Sequence, residues 1–107
     1  MSKLEELITK AKYKDVKAME ELFHQFKPLL RARAKRYARA GLEYDDLFQQ
    51  ASLLFILAVY DYQEERKIPF AGYAKKRIDW GLWMFYRKYL KEKREISSGL
   101  KPPRSKR

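Results

Sequence analysis

Hydrophobic residues along the chain recur at spacings of three and four and nowhere in strict alternation, a pattern that predicts helices without strands. The first predicted helix covers Leu4 to about Tyr13. The second begins after Asp15, which can cap it, and continues to about Arg39. Its inward positions are Met19, Leu22, Phe23, Phe26, Leu29 and Leu30. Pro28 falls inside this pattern, so we expect the second helix to be kinked there or split in two.

A third helix is predicted to begin at Asp45 and Asp46, because Gly41 ends the preceding pattern and acidic residues complement a helix N-terminus. Its buried face comprises Leu47, Ala51, Leu54, Phe55, Ala58 and Tyr62. The uncharged opposite side carries Gln49, Leu53, Ile56 and Tyr60. A surface helix normally turns charged residues outward. This helix is therefore either enclosed by its own domain or bound by a partner, and we favour a partner.

A fourth helix is predicted from Phe70 to about Lys93, after a loop from Gln63 to Pro69. Its core stripe comprises Phe70, Ala74, Ile78, Leu82, Phe85 and Tyr89. On or beside its outer face lie Tyr73, Lys76, Arg77, Trp80, Trp83 and Arg87. Tryptophan is costly on a solvated helix face, so this outer face is also predicted to bind a partner.

These elements together predict an all-α fold, a compact bundle of about four to five helices in one domain over residues 1–96. Residues 97–107 contain one Gly, two Pro and four cations without any periodicity. We expect this segment to be a disordered basic tail or a flexible linker.

All of the net charge of +11 lies in the last 42 residues. Arg66 to Arg107 contains 14 Lys or Arg and three acidic residues, whereas Met1 to Glu65 contains 11 of each sign. In the fourth helix the cations are interleaved with Tyr, Trp and Phe, a combination typical of surfaces that neutralise phosphates and stack on bases. Residues 40–65 contain six acidic residues and no Lys or Arg. Two oppositely charged surfaces indicate two partners.

The composition argues against an enzyme. There is no cysteine, which excludes a disulfide, a thiol nucleophile and a thiolate metal site. His24 is the only histidine, and no Ser, Cys or carboxylate pattern accompanies it. No spaced cluster of His, Asp and Glu appears, so we expect neither a metal nor another cofactor.

A membrane partner is disfavoured by the same pattern. No stretch approaches the roughly 20 apolar residues that span a bilayer, and the first residues lack a signal-peptide core. Binding to a membrane surface needs basic and apolar residues on opposite faces of one helix, but Trp80 and Trp83 share a face with the cations. We therefore expect a cytoplasmic protein whose basic helix binds nucleic acid.

The segment from Asp46 to Ile78 resembles region 2 of the sigma-70 family of bacterial RNA polymerase sigma factors. That family has an Asp-Leu opening, a Gln-Glu pair three residues later, an apolar helix ending in Phe-Asp or similar, a charged loop, and Phe-x-x-Tyr-Ala-x-x-x-Ile. These elements fall here on Asp46-Leu47, Gln49-Gln50, Tyr60-Asp61-Tyr62, Gln63 to Lys67, and Phe70, Tyr73, Ala74 and Ile78. The match is strongest over residues 44–90, and residues 18–37 are similar to the helix that begins the domain in many members.

In the family, the helix that matches Asp46 to Tyr60 docks on the coiled coil of the largest subunit of the RNA polymerase core. The resemblance therefore implies polymerase contacts by Asp46, Gln49, Gln50, Ser52, Leu53 and Ile56. Asp45 and Asp46 also have a sufficient role at the start of the helix, and the two glutamines could simply be solvated.

The next helix of the family binds the promoter −10 element and holds the non-template strand open. The resemblance implies base contacts by Phe70, Tyr73, Trp80 and Trp83, and phosphate contacts by Lys75, Lys76, Arg77 and Arg87. The two tryptophans occupy positions from which family members read the upstream edge of the element. Phe70 and Tyr73 lie close to the core stripe, and for Phe70 packing is the main role that we expect.

Some features depart from the family. Many primary sigma factors place two adjacent aromatic residues where this chain has Lys76 and Arg77, and a basic residue where it has Asp79, so the −10 sequence preference does not carry over. The resemblance also ends before the helix-turn-helix domain that reads the −35 element. It implies a fragment, or one half of a divided sigma factor that needs a separate region 4-type subunit.

The sequence thus predicts a transcription initiation factor that docks on the polymerase core and binds or melts the −10 element. One alternative is a small helical regulator from a mobile element that binds DNA or RNA without polymerase. Another is an inhibitor that occupies the sigma site on polymerase. Binding to the polymerase core distinguishes the initiation factor from the stand-alone regulator. Transcription with a partner subunit distinguishes the initiation factor from the inhibitor.

Overall fold

The computed structural model describes residues 3–97, which form four α-helices. They are α1 Lys3–Lys12, α2 Val16–Ala38, α3 Tyr44–Asp61 and α4 Phe70–Ser97, with a 3-10 turn at Glu64–Arg66 before α4. The described range contains no strand, and the predicted all-α bundle is confirmed. The predicted tail over 97–107 lies outside the described residues, except for Ser97 at the end of α4.

Helix α2 is continuous through Pro28, so of the two predicted effects of the proline, a kink or a split, the split does not occur. Asp15 caps the helix as expected, because its carboxylate accepts a hydrogen bond from the backbone N–H of Ala18 at 3.2 Å. Pro28 and His24 are both exposed, so the carbonyl of His24 that loses its helical partner lies towards water. Leu30 on the opposite side is fully buried and anchors the helix beyond the proline.

Aromatic rings from α2, α3 and α4 meet in the core around Phe55, which is fully buried. The ring centroids of Phe23, Phe26 and Phe70 lie 6.3, 5.2 and 5.9 Å from that of Phe55. The buried face of α3 is wider than predicted, because Val59 is also fully buried. Contacts from α2, α4 and α1 on three sides of α3 account for this width.

Helices α2 and α4 run parallel and in register. The Phe26 and Phe70 rings lie 5.4 Å apart, Arg33 Nε lies 3.3 Å from Asp79 Oδ1, and the Tyr37 and Tyr86 rings lie 5.7 Å apart. Further along, the Tyr89 hydroxyl donates to the carbonyl of Gly41 at 3.4 Å. The order of these contacts fixes which residues of the two helices lie side by side.

Helices α3 and α4 approach each other closely at Gly81. A Cβ atom at this position would lie 2.4 Å from Leu54 Cδ1, well inside van der Waals contact. The missing side chain therefore lets Leu54 lie directly on the backbone of α4. Near the loop between the helices, Arg77 Nη1 lies 2.7 Å from Asp61 Oδ2. This ion pair is a second link between α3 and α4.

Tyr62 anchors the loop between α3 and α4. It is 7% exposed, and its hydroxyl donates a hydrogen bond to the carbonyl of Ile68 at 2.5 Å. The ammonium group of Lys12 donates to the carbonyl of Tyr62, so α1 is tied to the same point. Burial raises the pKa of Tyr62 above its ordinary value of 10.0, and the carboxylates of Glu5 and Glu64 raise it further.

Tyr62→Phe is expected to destabilise the domain by about 1 kcal/mol at neutral pH, because it removes this buried hydrogen bond. The raised pKa means that the folded state favours the neutral phenol. The stabilisation that the neutral hydroxyl provides is complete below the pKa of Tyr62 in the unfolded chain, near 10. It is lost as the pH rises through the pKa of Tyr62 in the folded protein. The difference between wild type and Tyr62→Phe should therefore shrink in urea unfolding measured above pH 10.

Tyr13→Phe is the control for this experiment, because Tyr13 is 82% exposed. Loss of a hydroxyl from so exposed a ring should change the stability little at neutral pH. An equal pH dependence for both variants would show that the Tyr62 hydroxyl has no special role.

Two candidate interfaces on adjacent helices

The solvent side of α3 carries an apolar strip, the α3 outer face, formed by Gln49, Leu53, Ile56, Leu57 and Tyr60. Leu53 is 51% exposed, Leu57 is 40% exposed and Tyr60 is 37% exposed. The domain therefore does not enclose the uncharged side of α3, which is accessible to a partner. Leu57 was not singled out from the sequence, although it lies one turn after Leu53 on the same side.

The six predicted polymerase contacts are not equally accessible. Asp46, Gln49 and Leu53 are exposed, whereas Gln50, Ser52 and Ile56 are partly buried. The Ser52 hydroxyl donates to the carbonyl of Phe48 at 2.8 Å, within α3 itself. The fold thus places Asp46, Gln49 and Leu53 best for a direct contact.

The α3 outer face continues into a groove of about 530 Å³ bordered by α1, α2 and α3. Ile56 and Tyr60 form one wall, and Met19 and Phe23 of α2 contribute to the other. The ammonium of Lys14 lies 5.3 Å from the centroid of the Tyr60 ring, a cation–π contact at the rim. The apolar surface is therefore larger than α3 alone.

The outer side of α4 presents the predicted aromatic and cationic residues, and we call Lys76, Trp80, Trp83 and Arg87 the α4 outer face. Trp80 is 66% exposed and Trp83 is 43% exposed. The Trp83 ring lies 6.1 Å from the Tyr86 ring, so its inner edge packs against the domain. Lys75, Lys76 and Arg87 are exposed as well. Rings and cations on one surface can stack on bases and neutralise phosphates.

Phe70 does not fit the predicted base contact. It is 3% exposed, and its ring is surrounded by those of Phe26, Phe55 and Tyr62. A base cannot stack on a ring enclosed on several sides, so packing is its role in this structure. Tyr73 is only partly buried, with its ring 5.6 Å from that of Tyr62.

Arg77 is engaged within the domain. It forms the ion pair with Asp61 and also donates a hydrogen bond to the Tyr73 hydroxyl at 3.1 Å. The hydrogen bond to Asp61 holds the pKa of Arg77 above its ordinary value. Among the predicted phosphate contacts, Lys75, Lys76 and Arg87 are exposed, whereas Arg77 is partly buried and already paired with Asp61.

Asp79 is the only acidic residue between Phe70 and Lys91. It lies towards α2, at ion-pair distance from Arg33 although without hydrogen-bond geometry. Arg33 therefore compensates the charge of Asp79 on the side of α4 that faces α2, and the α4 outer face remains positive.

A second cationic surface was missed at the sequence level. Arg31, Lys35 and Arg36 on the C-terminal half of α2 and Arg39 at its C-cap are all exposed. The equal count of 11 cations and 11 acids over residues 1–65 concealed them. A shorter window would have found them, because residues 27–42 contain six cations and no acid.

The search for a metal centre covers the described residues. No group of three or more His, Cys, Asp or Glu within residues 3–97 is arranged to hold a metal ion. Over the same range, no helix has both the length and the apolar character needed to cross a membrane.

Comparison with known protein families identifies the family of this chain. The family model described as Sigma-70 region 2 matches residues 22–92, which include most of α2, all of α3 and most of α4. Helix α1 lies outside the matched range. No curated protein and no solved structure matches the chain.

Proposed function

Because the chain belongs to the sigma-70 region 2 family, we propose that it docks on the RNA polymerase core through α3 and binds the promoter −10 element through α4. One observation carries the proposal. Within the matched range, an apolar face is left exposed on α3, and a positive, aromatic face is exposed on the adjacent α4. Each face has the chemistry that its partner in the family requires.

On the polymerase side, the α3 outer face binds the coiled coil of the largest subunit. Leu53 supplies the centre of the contact, and Ile56 supports it from the edge of the groove. Asp46 and Gln49 supply polar contacts at the rim, where solvent remains accessible. Gln50 and Ser52 border this surface and contribute less, because they are partly buried in the free domain.

On the DNA side, the α4 outer face binds the non-template strand. Trp80 and Trp83 stack on unpaired bases, while Lys75, Lys76 and Arg87 neutralise the backbone. Tyr73 contacts the strand through the edge of its ring. Arg77 contributes less to the phosphate contacts, because it is partly buried and paired with Asp61.

A promoter complex of this kind also needs recognition of the −35 element, which we assign to a region 4-type module. Region 2 alone reads a short stretch of DNA, and each mismatched base pair costs only about 1–3 kcal/mol. A second anchored contact raises the effective concentration of the α4 outer face at the −10 element.

The test is retention of DNA on immobilised RNA polymerase core. A labelled fork-junction probe that carries a single-stranded −10 element should be retained only when the core and this chain are both present. Retention of the probe by the chain without core would instead support the stand-alone regulator. Binding of the chain to the core, with no gain in probe retention, would support the inhibitor.

A further inference from the structure

The groove bordered by α1, α2 and α3 follows α2 for about three helical turns. Its α2 wall runs from Val16 to Lys27, about 16 Å at ~1.5 Å per residue. Val16 is 68% exposed, so an apolar side chain at the edge of the groove is left in contact with water. The apolar residues that line the groove are Ala11, Val16, Met19, Phe23, Ile56 and Tyr60. A groove of this length and character fits the apolar side of an amphipathic helix.

The two ends of the groove differ in charge. Lys14, Asp15 and Glu20 line the end at the start of α2, where one cation and two carboxylates lie close together. The carboxylate of Asp15 is already used to cap α2. Lys27 lines the opposite end, which is therefore positive.

Lys27 is also the first of four cations along α2, which we call the α2 basic row. Arg31, Lys35 and Arg39 follow it at intervals of four residues, so each lies one turn beyond the last. These three are exposed, and neither ion pair of the described residues involves the row. No acidic residue occurs between Lys27 and Leu42. The row therefore extends the positive charge about 18 Å beyond the end of the groove.

A protein segment suits this combined surface better than a nucleic acid. Phosphates could bind to the row alone, but a nucleic acid has no aliphatic side chains to bury in the groove. A helix in which apolar residues are followed by acidic residues uses both parts at once. The row also lies on a different side of α2 from Arg33 and Tyr37, which contact α4.

We propose that the groove and the α2 basic row together bind an acidic amphipathic helix of a partner protein. The apolar side of this helix lies in the groove over about three turns, and its acidic residues continue along the row. The apolar contact supplies most of the affinity, while the row selects an acidic segment and makes binding sensitive to salt. The inference goes beyond the proposed function and does not depend on it, since it needs neither polymerase nor DNA.

The probe is a labelled synthetic peptide of about 24 residues. Its first half carries Leu at helical spacings of three and four, and its second half carries Glu on the same side of the helix. The control peptide has Lys in place of each of these Glu residues. Fluorescence anisotropy should show that the chain binds the acidic peptide more tightly than the control peptide, and that the difference shrinks as salt is added.

The contribution of the row is tested by two variants with the same change in net charge. The row variant carries Arg31→Gln and Lys35→Gln. The control variant carries Lys88→Gln and Lys91→Gln, which replace exposed cations of α4, a helix that does not border the groove. The row variant should bind the acidic peptide roughly five-fold more weakly at low salt, whereas the control variant should bind it as the wild type does.

The contribution of the groove is tested by Val16→Glu. A glutamate in the first turn of α2 is compatible with the helix, but its carboxylate would be covered by the apolar side of the peptide. Binding of both peptides should weaken at least ten-fold. Leu90→Glu is the matched control, because Leu90 is partly exposed on α4. Circular dichroism should show that all four variants fold as the wild type does.

Equal binding of the two peptides, or binding of neither, would overturn the inference. A row variant that binds the acidic peptide as tightly as the control variant does would overturn it as well. Weaker binding of the row variant to a plain DNA duplex or to core polymerase, with unchanged affinity for the peptide, would assign the row to that partner instead. Failure of the proposed function is a separate result, because the peptide titration contains neither polymerase nor DNA.

Discussion

Leu53→Glu is expected to weaken binding to the RNA polymerase core by about 3–5 kcal/mol, a loss of at least 100-fold, while the domain stays folded. Leu53 is 51% exposed, so a carboxylate there is hydrated in the free protein and costs little stability. In the complex the same carboxylate is buried in an apolar contact without a partner. The effect should be largest if Leu53 lies at the centre of the interface.

Affinity can be measured by titrating labelled variants with core enzyme, and unfolding in urea gives the stability of each. Leu57→Glu changes the adjacent exposed position and should also weaken binding. Leu90→Glu is the matched control, because Leu90 is 39% exposed but lies on α4. If Leu53→Glu and Leu57→Glu bind like Leu90→Glu, the α3 outer face is not the docking surface.

Trp80→Ala is expected to weaken binding to a fork-junction −10 probe in the presence of core enzyme by about ten-fold or more. A ring stacked on a base contributes about 1–3 kcal/mol, and the exposed ring of Trp80 is available for stacking. Because indole carries no charge, the slope of log affinity against log salt should remain that of the wild type. Trp83→Ala should weaken binding too, with an added loss of packing against Tyr86.

Lys76→Gln gives the opposite signature on the same probe. Removal of one phosphate contact should flatten the salt slope by about 0.7 on a single strand, with a modest loss of affinity.

Fluorescence quenching of the remaining tryptophan provides the titration in the Trp80→Ala variant. Unchanged affinity in both tryptophan variants would show that the two rings have no contact with DNA.

Most of the fold follows from local spacing, because an amphipathic helix records its buried side in the sequence. The hydrophobic stripe from Phe70 to Tyr89 predicted where α4 begins and which of its sides is buried. Asp15 predicted the N-terminal cap of α2. The burial of Val59 was missed because a helical-wheel pattern assigns only one face of a helix to the core, whereas α3 packs against the three other helices. Pro28 does not split α2, because burial on the opposite side of the helix holds it together.

The candidate site was harder to predict, because it depends on pairs that are distant in sequence. Phe70 becomes inaccessible only when rings from α2 and α3 close around it. Arg77 is paired with Asp61 across the loop, and no intrahelical spacing indicates that contact. The second cationic surface, at Arg31, Lys35, Arg36 and Arg39, is a local feature, but it was averaged away when charge was counted over a long segment.

The contact between Leu54 and Gly81 also determines how the two proposed partners are placed relative to each other. Packed interiors resist compression, and no side chain at position 81 separates α3 from α4. The two helices therefore form one rigid spacer of fixed width. In the proposed complex, polymerase bound to the α3 outer face would set the height and angle at which a DNA strand meets the α4 outer face, without a hinge between the two.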